Sequence, residues 1–127
     1  MDNKNIISVS PLGKTWIFDL DGTIVKHNGY KIDGQDTFLP GAKEFLKDIS
    51  VNDMIIFVTS RNDECIEQTK KFLENNQIRY NALINNAPYG ERIIVNDKKP
   101  SGLKTSLAIN TERDEFMSCE FVVDENL

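Results

Sequence analysis

The sequence lacks the features that would direct it to a membrane or to an oxidising compartment. No apolar run approaches the about 20 residues that cross a bilayer, and the segment before Lys14 has no signal-peptide or arginine-rich targeting pattern. The chain has two cysteines, Cys65 and Cys119, and they do not have the spacing of a metal site. We therefore expect reduced thiols, a cytoplasmic location and no membrane partner.

Positive charge is also scarce. The chain has 15 Lys and Arg residues against 20 Asp and Glu residues, which gives a formal net charge of -5. Because no stripe of basic residues runs along any segment, we expect no nucleic acid as the main partner. Part of the negative charge is expected to gather at an active site, where a bound metal would balance it.

Length and composition are those of one domain. The 127 residues are 39% apolar and 28% charged, which is ordinary for a globular protein of this size. Since no repeat, low-complexity tract or linker divides the sequence, we predict a single domain over residues 1–127. Residues 1–12 are expected to form a loose or edge-packed leader.

Short apolar runs alternate with helical patterns along the chain. Apolar residues at helical spacing predict one helix that opens at Pro40 and another that is capped by Asn62. This alternation predicts an α/β fold, with three layers in a Rossmannoid arrangement around a central, mostly parallel sheet. The runs predicted as strands are 14–19, 54–59, 82–84 and 92–97, with weaker candidates at 107–109 and 121–123.

Residues 20–39 join the first strand to the first helix. This segment is polar and has turn residues at Asn28-Gly29 and Asp33-Gly34. Because Asn-Gly is a strong hairpin signal, the segment is predicted to form a small β-flap.

The most informative run is Trp16-Ile17-Phe18-Asp19-Leu20-Asp21-Gly22-Thr23. An apolar strand leads into two aspartates two residues apart, and such side chains point the same way on a strand. Gly22 permits a sharp turn, because glycine tolerates positive φ. Two carboxylates held together repel each other, so the arrangement favours a bound cation and a chemical role.

Polar residues also follow two further predicted strands. Thr59 and Ser60 come directly after the run 54–58, and Asn96 and Asp97 end the run 92–97. In parallel sheets, ligands bind outside the carboxyl ends of the strands. We therefore expect these residues to converge with the aspartate turn in one site.

These residues resemble the haloacid-dehalogenase-like (HAD) superfamily of phosphotransferases. The run 19–23 matches the first motif of that family, and Thr59 and Asp97, each after an apolar strand, match its second and fourth motifs. The resemblance implies that Asp19 attacks phosphorus to form an aspartyl-phosphate, while Asp21 protonates the leaving alcohol. It implies that Thr59 donates a hydrogen bond to a phosphoryl oxygen.

The resemblance also implies a Mg²⁺ cofactor. The ion would be held by Asp19, the Asp21 carbonyl and Asp97, with Asn96 where many relatives have a second acid. Mg²⁺ would let an anionic nucleophile approach an anionic phosphate.

Other residues are predicted to bind the substrate phosphate. The lysine of the third motif has no counterpart at its usual place, so Lys99, whose turn Pro100 stiffens, is the best substitute, with Lys98 as the other candidate. Arg61 either binds a substrate anion or forms an ion pair with a nearby helix acid. The rest of the predicted phosphate-binding set is Leu20, Gly22, Thr23 and Ser60.

Taken together, the resemblance implies a Mg²⁺-dependent phosphomonoester hydrolase that acts on a small phosphorylated metabolite, such as a sugar or amino-alcohol phosphate. The loop before Pro40 and the loop after Thr59 have no room for a cap domain, which implies a capless type that oligomerises with itself to close its site. The alternatives are a phosphotransferase with an acceptor other than water and a HAD-like binding protein without activity. A signalling receiver domain is disfavoured, because both acids of the turn lie at the first catalytic strand.

Overall fold

The computed structural model describes residues 5–127, which contain five strands and three helices. Every pairing between these strands is parallel, and the sheets are open, which confirms the predicted mixed α/β, Rossmannoid-like fold. No helix in this part of the chain is long and apolar enough to cross a membrane. In chain order the elements are β1 (Ile6–Val9), β2 (Thr15–Phe18), α1 (Gly29–Ile32), α2 (Ala42–Asp48), β3 (Met54–Val58), α3 (Asp63–Asn75), β4 (Ala82–Ile84) and β5 (Glu120–Val123).

The chain divides into two compact units. One comprises Gly13–Tyr89 and Thr111–Phe116 and contains the sheet β2-β3-β4; we call it the three-stranded unit. The other contains the sheet β1-β5 and is called the two-stranded unit; its described residues are 5–12, Gly90–Asn110 and Met117–Leu127. The single domain predicted over residues 1–127 therefore contains two units.

The three-stranded sheet forms where the sequence has its most apolar runs. β3 lies in the centre, with Phe57 opposite Phe18 of β2 and opposite Leu83 of β4. Ile55 and Phe57 are fully buried, because alternate side chains of a strand point to the same face. The strands predicted at 14–19, 54–59 and 82–84 are thus confirmed, each slightly shorter than predicted or equal to it.

The two longer helices bury the faces predicted for them. In α2, Ala42 and Leu46 are buried, and in α3, Thr69 and Leu73 are buried. Asn62 caps α3 as predicted, since its side chain accepts a hydrogen bond from the Glu64 N–H at 3.0 Å.

The start of α2 differs from the prediction. The helix begins at Ala42 and not at Pro40, because Gly41 has a φ of 87° and therefore cannot belong to a right-handed helix. Gly41 is instead the residue that precedes the first helical position.

The segment 20–39 does not contain the predicted β-hairpin. Asn28 has a φ of 56°, and its carbonyl accepts hydrogen bonds from the Lys31 and Ile32 N–H groups, so the Asn-Gly turn closes into the short helix α1. The pairing that remains consists of isolated bridges, which join Val25 to Asp21 and to Phe38. The Asn28-Gly29 sequence therefore forms a helical turn and not a hairpin turn, because no pair of strands flanks it.

In the two-stranded unit, β1 pairs with β5, with Ile7 opposite Phe121. Within the predicted leader 1–12, residues 6–9 are therefore a paired strand, and residues 1–4 lie outside the described part of the chain. The weak strand predicted at 121–123 is confirmed by β5.

The strand predicted at 92–97 is wrong. These residues belong to no helix or strand, and Ile93 and Val95 are 83% and 91% exposed. The weaker candidate at 107–109 is irregular as well. An apolar, β-branched run has the propensity for a strand, but a strand also requires a neighbour to pair with.

Candidate active site

The candidate site lies at the carboxyl ends of β2 and β3. Asp19 directly follows β2, and Thr59 directly follows β3, its neighbour in the sheet. Because the two strands are parallel, their ends meet at the same edge of the sheet. The structure thus places Asp19, Asp21, Thr59 and Arg61 in the three-stranded unit, where Arg61 bonds to Asp21 and to the Thr59 hydroxyl.

The turn after β2 is held by its own backbone. The Leu20 carbonyl accepts hydrogen bonds from the N–H groups of Thr23, Ile24 and Val25, while the Gly22 N–H donates to the Val25 carbonyl at 2.7 Å. Gly22 has a φ of 80°, and an added Cβ would lie 3.1 Å from the Cγ of Arg113. The positive φ therefore favours glycine at this position, and an added Cβ would also require the Arg113 side chain to shift by a few tenths of an ångström.

Three residues of this turn, Leu20, Gly22 and Thr23, were predicted to bind phosphate. The Gly22 and Thr23 N–H groups are bonded to backbone carbonyls, and the Leu20 side chain is only 2% exposed. These contacts fix the turn, and the phosphate contact of the three residues remains a prediction. The Thr23 hydroxyl donates to Oδ2 of Asp19 at 3.0 Å, so Thr23 acts on the carboxylate directly.

Thr59 is fixed by the backbone on both sides. Its N–H donates to the Ile84 carbonyl, and its own carbonyl accepts from the Ala87 N–H. The side chain is buried, and its Oγ1 accepts a hydrogen bond from the Arg61 N–H at 3.1 Å. The hydroxyl thus sits in a defined position at the strand end, with Ser60 half-buried beside it.

Arg61 is the most heavily bonded side chain of the site. Its Nε donates to Asp21 Oδ2 at 3.0 Å and its Nη2 to Asp21 Oδ1 at 2.9 Å. Nη1 and Nη2 donate to the two oxygens of Asp36 at 3.0 and 2.7 Å, and Nη1 also donates to the Thr69 hydroxyl at 2.9 Å. A guanidinium has five N–H donors, so all of them are used inside the protein.

This bonding has two consequences for Arg61. Burial alone would lower the pKa of Arg61, but the hydrogen bonds to Asp36 and Asp21 outweigh burial and raise it above its ordinary value, so the side chain is a permanent cation. A phosphate contact, which was one of the two roles predicted for Arg61, would require one of these bonds to break. The other prediction, an ion pair, was right about the interaction and wrong about the partner, which is not a helix acid.

Two contributors to the site carry no signal in the sequence. Asp36 has a side chain only 2% exposed and lies in the polar segment before α2, where nothing separates it from ordinary turn residues. The Cζ atom of Arg61 lies 4.1 Å from the centroid of the Tyr30 ring, in α1, which is a cation–π contact. Burial raises the pKa of the Tyr30 phenol, and nearby Cys65 adds to this effect.

The remaining predicted site residues lie in the two-stranded unit. Asn96, Asp97, Lys98 and Lys99 are all exposed in the irregular segment that replaces the predicted fourth strand. The Asp97 carbonyl accepts from the Thr105 hydroxyl, and the Lys99 N–H donates to the Leu103 carbonyl. Their roles in metal and phosphate binding remain predictions.

A ready metal site is not formed. Among residues 5–127, no three His, Cys, Asp or Glu side chains form a group that could hold a metal ion. Both oxygens of Asp21 accept from Arg61, which leaves this carboxylate bound to a cation already present in the protein. The residues of the three-stranded unit alone therefore do not fit the Mg²⁺ site that was expected.

Comparison with known proteins gives one structural match to report. No family model matches the sequence, and none of the curated proteins matches it. A chain in the structure of the Pnkp1/Rnl/Hen1 complex is similar to this one, with a TM-score of 0.50 and 27% sequence identity. The match covers 67% of this chain and 32% of that chain, so this chain corresponds to about a third of its neighbour's length.

These findings correct two inferences from the sequence. The assignment to the HAD superfamily is wrong, because no family model supports it and the similarity found is to a chain of the Pnkp1/Rnl/Hen1 complex. The function drawn from that assignment, hydrolysis of a small phosphorylated metabolite, is wrong as well, because the similarity found is to a chain of the Pnkp1/Rnl/Hen1 complex.

Proposed function

We propose that this chain is a phosphatase that uses the Asp19 carboxylate as nucleophile on a phosphate carried by a larger molecule. The observation that supports this most directly is the hydrogen bond from the Thr23 hydroxyl to Oδ2 of Asp19. Asp19 directly follows β2, and Thr59 directly follows the neighbouring strand β3. The Thr23 bond limits the rotation of the Asp19 carboxylate, and a nucleophile held in a fixed orientation is favoured for attack on a bound phosphate.

The proposed reaction has two steps. An Asp19 oxygen forms a bond to phosphorus while the bond to the leaving alcohol breaks, and a proton passes to that alcohol. Water then attacks the aspartyl-phosphate and restores the carboxylate. Asp21 is the nearest candidate for moving the protons, but both of its oxygens accept from Arg61, so proton transfer requires one of those bonds to open.

A larger substrate is proposed because of the structural neighbour. That neighbour is a chain of the Pnkp1/Rnl/Hen1 complex, an assembly of several proteins, and 67% of the present chain aligns with it. Mg²⁺ remains the proposed cofactor, because this ion binds oxygen ligands together with a substrate phosphate. Since the described side chains do not form a metal site, no step is assigned to the ion.

The test is phosphate release from a panel of phosphorylated oligonucleotides, phosphopeptides and small phosphate esters, with Mg²⁺ and with a chelator. We expect release from a macromolecular substrate, with loss of at least about 10²-fold in Asp19→Asn, because covalent catalysis needs the carboxylate. Asp48→Asn is the matched control, since Asp48 lies exposed at the end of α2.

Trapping the intermediate gives an independent check. During turnover, a hydroxylamine-sensitive phosphate should appear on the peptide that contains Asp19, and it should be absent in Asp19→Asn. Release that survives this substitution, or that occurs with small esters only, would contradict the proposal. A cytoplasmic location and a homo-oligomer also remain predictions, and light scattering after size-exclusion chromatography tests the second.

A further inference from the structure

Arg61 connects two parts of the three-stranded unit that are separate in sequence. It follows β3, and it bonds at once to the turn after β2 through Asp21 and to the segment before α2 through Asp36. Phe38, two residues after Asp36, packs on Phe72 of α3 with ring centroids 4.8 Å apart. The end of the segment before α2 is therefore held in place by the ion pair of Asp36 with Arg61 and by the packing of Phe38 on Phe72.

The buried end of this network is Asp36. The side chains of Asp36 and Arg61 are each 2% exposed, whereas that of Asp21 is 20% exposed. A buried carboxylate is stable as an ion only when a cation and hydrogen bonds compensate for lost water, and Arg61 provides both to Asp36 through two bonds. The Asp36 bonds therefore anchor the guanidinium, and the Asp21 bonds extend from that anchor to the more exposed end.

The orientation of the Asp21 carboxylate is set by the plane of the guanidinium. Nε and Nη2 lie on one edge of the fork and meet the two oxygens of Asp21, so rotation of Arg61 would move that carboxylate. Asp36 meets the adjacent edge through Nη1 and Nη2, and Tyr30 covers a face of the guanidinium. The plane is thus fixed from an edge and from a face.

We propose that Asp36 is a positioning residue: it fixes Arg61, and Arg61 in turn fixes the Asp21 carboxylate two residues from Asp19. Asp36 does not touch the substrate in this scheme and acts through Arg61 alone. The kinetic consequence rests on the proposed phosphatase function, whereas the geometric consequence does not.

The kinetic test is a double-mutant cycle of Asp21→Asn and Asp36→Asn, measured on one aryl phosphate and one alkyl phosphate. If Asp36 acts by positioning a proton donor, Asp36→Asn should lower kcat on the poorer alkyl leaving group by about tenfold or more and change the aryl rate by less than about threefold. The double variant should be no slower than Asp21→Asn alone, because both changes remove the same function.

The geometric test uses the ¹⁵N NMR signal of the Arg61 Nε–H group, assigned by its loss in Arg61→Lys. In the unmodified protein this proton is buried and bonded to Asp21, so it should exchange slowly with water. In Asp36→Asn the signal should shift and exchange faster. Asp33→Asn is the matched control, because Asp33 is in the same segment and pairs at the surface with Lys26 at 2.9 Å.

Each outcome decides the inference. Equal losses on both leaving groups, additive losses in the double variant, the same selective loss in Asp33→Asn or an unchanged Arg61 signal would overturn it. If the protein releases no phosphate from any substrate, the phosphatase proposal fails and the Arg61 signal alone decides the positioning role. If Asp36→Asn does not fold, Thr69→Val removes a single acceptor of Arg61 with little change of shape, and it should give the same pattern at smaller size.

Discussion

At the scale of single residues, the site contains more negative than positive charge. Asp19, Asp21 and Asp36 lie around the turn after β2, and Arg61 is the cation that bonds to two of them. Arg61 donates hydrogen bonds to Asp21 and Asp36, and the Thr23 hydroxyl donates one to Asp19.

This difference in hydrogen-bond donors predicts that two neighbouring aspartates affect stability differently. Asp19→Asn should change the free energy of unfolding by less than about 1 kcal/mol, because it removes a charge that repels Asp21. Asp21→Asn should lower the free energy of unfolding by about 1–3 kcal/mol, because the buried Arg61 guanidinium loses one of its two charged partners. Urea unfolding of both variants measures this difference, and equal losses would show that Asp19 is part of the same ion-pair network.

A second prediction at this scale concerns the two lysines of the irregular segment. Lys99 opens a turn in which its carbonyl accepts from the Gly102 N–H and its N–H donates to the Leu103 carbonyl, with Pro100 inside the turn. The role predicted for Lys99 from the sequence implies that Lys99→Ala slows phosphate release more than Lys98→Ala, because Pro100 stiffens the turn that carries Lys99. Steady-state kinetics of both variants tests this, and the reverse order would assign the phosphate contact to Lys98.

At the scale of elements, the start of α3 offers a clear test of helix capping. Asn62 has extended backbone angles, and its side chain accepts from the Glu64 N–H. Asn62→Ala should cost about 1 kcal/mol of unfolding free energy, whereas Asn62→Asp, which keeps the acceptor, should cost much less. Equal losses in the two variants would mean that the cap hydrogen bond does not stabilise the helix.

The next residue of the same helix predicts a dependence on pH. Hydrogen bonds from Asn86 and then Asn85 lower the pKa of Asp63 below its ordinary value. Because the folded pKa is the lower one, the stabilisation by Asp63 is complete above the unfolded pKa and is lost as pH falls through the folded pKa. Asp63→Asn should therefore reduce the loss of stability on acidification, as measured by thermal unfolding across the acidic range. An unchanged acid profile would show that these bonds do not favour the ionised carboxylate.

Local patterns in the sequence predicted those elements that a local pattern can determine. The apolar spacing of α2 and α3 and the runs of β2, β3 and β4 are confirmed, and strand order placed Asp19 beside Thr59. The run 92–97 and the Asn28-Gly29 turn were mispredicted, because each has the right propensity but no pairing strand. Asp36 was missed because its role comes from a contact with Arg61, 25 residues away, and no local pattern marks such a contact.

At the scale of the whole molecule, the two units differ in how much of their chain is regular. Residues 91–99 belong to no helix or strand, whereas β3 is paired on both sides in the three-stranded unit. Amide hydrogen exchange measured by mass spectrometry should therefore be fast in peptides from Gly90–Asn110 and slow in peptides that contain β3. Slow exchange at Ile93 and Val95 would restore the strand that the sequence predicted there.

The position of Trp16 gives the molecule an optical signal of its own. It is the single tryptophan of the chain and belongs to β2. Its indole N–H donates a hydrogen bond to Asp53 at 3.0 Å, and its ring stacks on that of Phe18 with the ring centroids 5.9 Å apart. Intrinsic fluorescence excited at the indole band therefore reports on one strand, and that strand leads directly into Asp19. Unfolding of β2 can thus be followed by a change in emission, without a label and without turnover.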